Sequence, residues 1–268
     1  MREIPEIFVI ILSAFDVVHE GNGYIDDIHG WNFVDNNNDV TDTDGHGTHT
    51  AGILGATANN GVGIAGIAPA VTIMPLKILD RASQAVEAIE YSLNKGINIS
   101  TNSWGFTIPV KSLRLAMEKV AKKRQLFVCA VNNAARDNTF SPDFPANWGP
   151  GSAQPLLNIL RVASVDIDGT LSSTSNFGKT NVDIGAPGSD ILSTVPFNIF
   201  GGAYAYKSGT SMATPLVAGT AALISSVLDI DALALRQLIV QTANPLTTLS
   251  GRVATGGIVN AAAALQIH

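Results

Sequence analysis

A single cysteine, Cys129, leaves this 268-residue chain without a disulfide framework, and its redox compartment is not readable from thiols. Charge is also scarce. Charged residues make up 14% against 46% hydrophobic, a balance that excludes a disordered chain and suits one large buried core. Lys+Arg 16 against Asp+Glu 22 gives a net charge of −6, and the one basic cluster, Lys122-Lys123-Arg124, falls at the polar end of a predicted helix where cations suit the dipole. Nucleic acid is therefore not an expected partner. No apolar run approaches the roughly 18 residues needed to cross a bilayer, so no membrane span is expected. The opening MREIPEIFVIILSAF has a short apolar centre at 7–12, as a signal peptide would. Arg2, however, is offset by Glu3 and Glu6, and Pro5 is awkward there, so a signal is the weaker reading.

What is present alternates in type. VTIMPLKIL (71–79) is a short apolar run bounded by turn residues and predicts a buried strand. Residues 82–95 then place Ala82, Ala85, Val86, Ile89 and Leu93 on one helical face, closed by Lys95 and Gly96. A strand at 97–100 follows, and then a helix with Val110, Leu113, Met117 and Val120 on one stripe. Strands are expected at 125–131 and 158–165. This rhythm predicts a mostly parallel sheet covered by helices, in one domain. Gly and Asn collect at GNG (21–23), ANNGVG (58–63) and Asn132-Asn133, where the carboxyl ends of strands make sites in open α/β sheets.

SGTSMATP (208–215) carries the strongest signal. Small residues flank Ser211, and apolar positions at helical spacing follow, which puts Ser211 in the first turn of a buried helix. Its own amide has no intrahelical acceptor there and points where an oxyanion could form; the bland alternative is an ordinary helix cap. Pro215 is read as a first-turn proline, where a missing N–H matters little. DGHGTHTAG (44–52) offers His46 and His49, either of which could deprotonate a serine, with His49 more readily read as a structural histidine. A zinc pair is disfavoured, because no HExxH pattern and no further clustered histidine occur. An α/β-hydrolase needs its histidine after the serine, and the one later histidine is His268 at the end of the chain. A chymotrypsin-like order conflicts with the helix-rich pattern. What remains is a histidine well before a serine on a parallel α/β scaffold.

HGTHTAG and GTSMATP resemble the histidine and serine boxes of the subtilisin-like serine proteases, the subtilases of peptidase family S8. ANNGVGIAGIAP (58–69) is similar to that family's calcium loop, STNSWG (100–105) to its substrate-binding strand, and NFGKTNVDIGAPGSDILST (176–194) to its loop before the serine box. GNGYIDDIHGWNFVDNNND (21–39) resembles an acidic insertion of some members. The resemblance covers about residues 20–268 and implies a three-layer αβα fold, with that span as the catalytic domain and 1–19 as an atypical N-terminal segment.

It also implies roles. Ser211 would attack the scissile carbonyl and His46 would act as general base and then acid. Aligned without gaps on the family's AAGN pattern, CAVNN puts Asn132 at a glycine position and Asn133 at the oxyanion donor; Asn is the next-best residue for left-handed backbone. Asn133 could also be a plain turn residue. Ser103, Trp104 and Gly105 would line the S1 pocket and pair with an extended peptide, although Trp104 could equally be core. Structural Ca²⁺ is implied, with Asn60 and, in the acidic stretch beside Glu20 and Asn22, Asp26 as ligands. The implied partners are a peptide or protein substrate and a propeptide or inhibitor. The implied state is a monomer of the secretory pathway.

The chain departs from the family in three places. No D-[ST]-G motif precedes the histidine box, and the best substitute for its aspartate is Asp16, which follows the apolar run and lies 30 residues before His46. Asp27, Asp42 and Asp44 are better suited to loop or calcium roles. LKILDRASQAVEAIEY lacks about five residues of a Gly-Ser-Gly loop that forms an edge strand for substrate. Leu216 replaces a frequent histidine, and Cys129 reads as a small buried hydrophobe. The expected function is a serine endopeptidase; the alternative is an impaired, subtilase-like peptide-binding protein.

Overall fold

A computed structural model describes residues 23–79 and 81–266, together with the backbone of 6–12. In chain order the elements are β1 (Glu6–Leu12), β2 (Trp31–Asn32), α1 (His46–Gly55), β3 (Thr72–Ile78), α2 (Ala82–Asn94), β4 (Ile99–Asn102), α3 (Lys111–Lys122) and β5 (Leu126–Ala130). Then come β6 (Ile159–Val165), β7 (Ile184–Pro187), β8 (Ile191–Thr194), α4 (Phe197–Phe200), β9 (Tyr204–Lys207), α5 (Thr210–Ser225), α6 (Ala232–Gln241), β10 (Asn244–Pro245), β11 (Gly257–Ile258) and α7 (Ala261–Gln266). The predicted strands and helices all form, with ends displaced by one or two residues.

The main sheet runs β10-β11-β7-β6-β5-β4-β1-β3-β2. Its pairs from β4 through β7 to β11, and β2 with β3, are parallel. Parallel strands are covered on both faces, which is why β4, β5 and β6 are buried throughout their length. Side chains alternate between two cores. Phe127 and Cys129 join α2 and α3 on one face through Ala85, Ile89, Leu113 and Met117. Leu126 and Val128 face the other, with Leu54 of α1, Val217 of α5, Leu235 of α6 and Ala264 of α7. The result is three layers, helices on both sides of a mostly parallel sheet.

β1 breaks the pattern. It fills the slot between β3 and β4 but runs antiparallel to both: Glu6 pairs with Ile78, Leu12 with Thr72, and Ile11 with Ile99. It therefore begins at the carboxyl edge of the sheet and ends at the amino edge.

A buried ion cluster ties the far half of the sheet together. Asp183, 2% exposed, accepts from Arg161 Nε at 2.9 Å, Arg161 Nη2 at 2.8 Å and Arg236 Nη2 at 2.7 Å. Burial pushes this carboxyl up, but the two guanidinium groups outweigh it and hold it below the usual range.

Candidate active site

Ser211 sits over the carboxyl ends of β4, β5 and β7. Gly209, in an extended backbone only glycine adopts readily (φ 144°, ψ 169°), opens α5 and donates its amide to the Gly188 carbonyl just after β7. The first-turn amides are then accounted for one by one. Thr210 N donates to Asn133 Oδ1 at 2.9 Å, while Met212 N and Ala213 N donate to the Gly209 carbonyl at 3.0 and 3.4 Å. The Ser211 amide has no acceptor among the described residues. A free amide at Ser211, inside a helix N-terminus, could accept an anion.

Asn132 takes φ 81°, the left-handed geometry expected of a residue at the family's glycine position. Its Nδ2 donates to the buried Asp143 at 3.2 Å, and Asn176 Nδ2 holds the other carboxylate oxygen at 2.9 Å. Burial nevertheless holds the Asp143 carboxyl above its ordinary range. This frame fixes the turn that presents Asn133, whose side-chain oxygen is occupied by Thr210 and whose amide nitrogen remains beside Gly209.

Pro215 corrects a sequence expectation. It lies inside α5, past the first turn, so the Ser211 carbonyl loses the amide that would normally cap it four residues on. Ser103 replaces that donor: its Oγ donates to the Ser211 carbonyl at 3.0 Å, with both residues buried. Trp104, 8% exposed, packs edge-on against Phe127 in the core, and Gly105 follows it at the surface. Phe106 and Phe144 exchange backbone hydrogen bonds of 2.7 and 2.8 Å, extending this segment toward Asn133's loop.

His46 opens α1. Gly45 enters with φ 87°, and Asp42 accepts from the amides of Asp44, Gly45 and Thr48 and from the Thr48 hydroxyl, capping the helix. Burial opposes ionisation of Asp42, but those four hydrogen bonds prevail and hold it low. The small residues after His46 allow close packing: a Cβ added at Gly52 would fall 2.3 Å from Thr194 Oγ1. His49 is structural, as the sequence suggested. Its Nε2 lies 3.0 and 3.1 Å from the Ile191 and Ala205 carbonyls, so the proton belongs on Nε2.

Helices α1 and α5 pack on each other on one face of the sheet. No direct hydrogen bond joins His46 to Ser211 among the described residues. His46 Nδ1 is buried and has no hydrogen-bond partner among them. Burial first, then the positive charge of Lys207, holds the imidazole down to about 4, against an opposing pull from Asp42. Asp16, with Glu20 and Asn22, lies outside the described residues. The strand ahead of Asp16 ends at the edge opposite Ser211, so β1 does not deliver its carboxyl end to His46 as a subtilase aspartate strand is expected to do.

The sequence profile of the Subtilase family matches residues 12–260. This chain belongs to the subtilase family. Its subtilase relatives include the thermophilic serine proteinase of Bacillus sp. (strain AK1), 39% identical over 225 residues covering 82% of this chain and 52% of that protein. Thermitase of Thermoactinomyces vulgaris is 39% identical over 202 residues, covering 74% of this chain and 67% of thermitase. The chain thus spans about half of one and two thirds of the other. Among solved structures, a protease from Pseudoalteromonas arctica superposes with a TM-score of 0.71 at 27% identity, over 83% of this chain and 70% of that one.

The subtilase resemblance implied calcium. Asp26 is exposed in left-handed backbone (φ 56°), and its neighbour Asp27 turns inward to accept from Tyr91 Oη and pair with Lys95 Nζ, each at 2.7 Å. No three His, Cys, Asp or Glu side chains cluster among the described residues. Glu20 and Asn22, the other side chains of the set expected around Asp26, lie outside the described residues. Asn60 is exposed, and its Oδ1 accepts from Val62 N at 3.0 Å in a loop turned by Gly61 and Gly63, leaving neutral oxygens as the donor set. Cys129 is fully buried, and burial pushes its thiol up.

Sequence reasoning missed three participants. The Asp143–Asn176 frame gives no local pattern. The bond from Ser103 Oγ to the Ser211 carbonyl, beyond the S1-wall role that the resemblance implies, leaves no local pattern either. Lys207, a lone lysine in a half-exposed strand, carries no signal at all.

Proposed function

We propose that this chain is a subtilisin-like serine endopeptidase. Ser211 Oγ attacks the scissile carbonyl as His46 Nε2 takes its proton, and the acyl-enzyme forms when His46 returns that proton to the leaving amine. The Ser211 amide and Asn133 Nδ2 receive the developing oxyanion. The carrying observation is the unsatisfied Ser211 amide beside an asparagine whose oxygen is already pinned by Thr210. Residues Ser103, Trp104 and Gly105 form one wall for the acyl half of an extended peptide. On the opposite side the β3–α2 connection is only residues 79–81, which supports a substrate held by one edge strand.

The triad carboxylate is the weak member. In subtilisin, losing it costs on the order of 3 × 10⁴ in kcat, leaving a slow enzyme rather than a dead one. Labelling of Ser211 by a fluorophosphonate, abolished by Ser211→Ala, supports the protease; no labelling of folded protein at high concentration refutes it and leaves a peptide- or propeptide-binding protein. Calcium at the Asn60 loop rests on neutral oxygens, and a Tm unchanged by calcium or chelator removes it. A monomeric, secretory protein matches the family resemblance, and among the described residues no helix is long and apolar enough to cross a membrane.

A further inference from the structure

The β8–β9 hairpin carries a cation that the proton-transfer scheme does not use. Burial alternates along β9: Tyr204 and Tyr206 are exposed, Ala205 and Lys207 half-buried. Ser193, the cross-strand partner of Ala205, donates its Oγ to the His49 carbonyl of α1 at 2.8 Å, so the half-buried face of β9 is the one turned toward α1. Lys207 Nζ stands 5.3 Å from the centroid of the Phe200 ring. That ring lies against Gly45, where an added Cβ would fall 2.4 Å from a ring carbon, and the next residue is His46. Three residues beyond Lys207 the chain enters α5 at Thr210, and Ser211 follows. The ammonium thus lies over the ring that packs at the start of the helix carrying His46, on the strand that leads into the helix carrying Ser211. Burial raises the Asp44 carboxyl and the Lys207 charge pulls against that rise, while burial and the same charge hold the His46 imidazole down; Lys207 makes no salt bridge among the described residues.

A half-buried cation that feels Asp44 without reaching salt-bridge contact has its partial desolvation only partly offset. Its position says what partner it could take. The imidazole returns its proton to the leaving amine, so groups flanking His46 away from residues 103–105 face the leaving half of the substrate. We infer that Lys207 recognises a carboxylate in the leaving half of the peptide, just past the scissile bond. This deepens the protease reading and rests on it. The carboxylate has two sources, an acidic side chain or a chain terminus.

The test uses the full chain carrying Ser211→Ala, which needs no turnover, and fluorescein-labelled peptides read by anisotropy. One amidated peptide has Asp in the first leaving positions, a second has Asn there, and a third stops one residue past the scissile bond with a free carboxylate. The Asp peptide or the free acid should bind at least about threefold more tightly than the Asn peptide at low salt. That preference should shrink as salt rises and disappear with Lys207→Gln, while Lys207→Arg retains it. The tighter acidic arm assigns the source. Equal binding of all three peptides, no binding of any, or an unchanged preference in Lys207→Gln overturns the inference. Failure of the protease reading shows separately, as absent fluorophosphonate labelling of the unsubstituted chain.

Discussion

His46 should remain a competent base well below the pH at which an ordinary histidine is protonated. Its imidazole is 6% exposed, its Nδ1 has no carboxylate among the described residues, and burial with the Lys207 charge brings it to about 4. At pH 5.5 a group titrating at 4 is roughly 97% neutral, whereas one at the unperturbed 6.5 is roughly 9% neutral. The rate of fluorophosphonate labelling of Ser211 at pH 5.5 should therefore stay close to its value at pH 8 instead of falling about tenfold. Lys207→Gln should move the acid limb upward, because it removes a positive charge that favours the neutral ring. The same shift bears on stability. The folded value lies below the unfolded one, so the native state binds fewer protons, and this contribution is complete above 6.5 and lost as pH falls toward 4. The span of about 2.5 units corresponds to about 3 kcal/mol. Urea midpoints measured from pH 7 to pH 4.5 should fall more steeply for the parent than for His46→Asn. A labelling limb at 6.5 or above refutes the reasoning, because it requires a carboxylate at Nδ1.

Other changes separate chemistry from scaffold. Asn133→Ala should lower kcat by about 10²–10³ with little change in KM, as expected for a donor used in the transition state; an unchanged kcat moves the oxyanion site elsewhere. Ser103→Ala leaves the Ser211 carbonyl without a donor and should destabilise by about 1–3 kcal/mol in chemical denaturation, whereas Ser103→Thr should restore most of it. Asp183→Asn, which strands two arginines, should destabilise by about 3–5 kcal/mol; a loss under 1 kcal/mol shows the cluster to be solvated.

The parts of this fold legible in the sequence were those written in local patterns. The stripe through Leu113, Met117 and Val120 is buried as the 3.6-residue period demands, and Ala85 and Ile89 mark the inner face of α2. The box around Ser211 announced a residue in the first turn of a buried helix, and an asparagine in a glycine's place foretold the left-handed turn at Asn132. Long-range compensation was not legible. Nothing near Pro215 says that a hydroxyl 108 residues before Ser211 will satisfy the carbonyl it orphans. The direction of β1 was equally hidden, since a run of apolar residues reads the same from either end and only its neighbours decide which way it lies.

That strand also sets a schedule for synthesis. Its partners lie at 72–78 and 99–102, roughly 60 to 90 residues downstream, so at 5–20 residues per second it waits on the order of 3–18 s after leaving the ribosome. Throughout that interval IFVIIL is a β-rich segment without charge or proline, the composition most prone to pair with another chain. Until β1 is seated, β3 and β4 have no ladder between them and the sheet is two fragments. Closing it is a late, non-local event, and the yield of native protein is set by whatever shields six residues for those seconds.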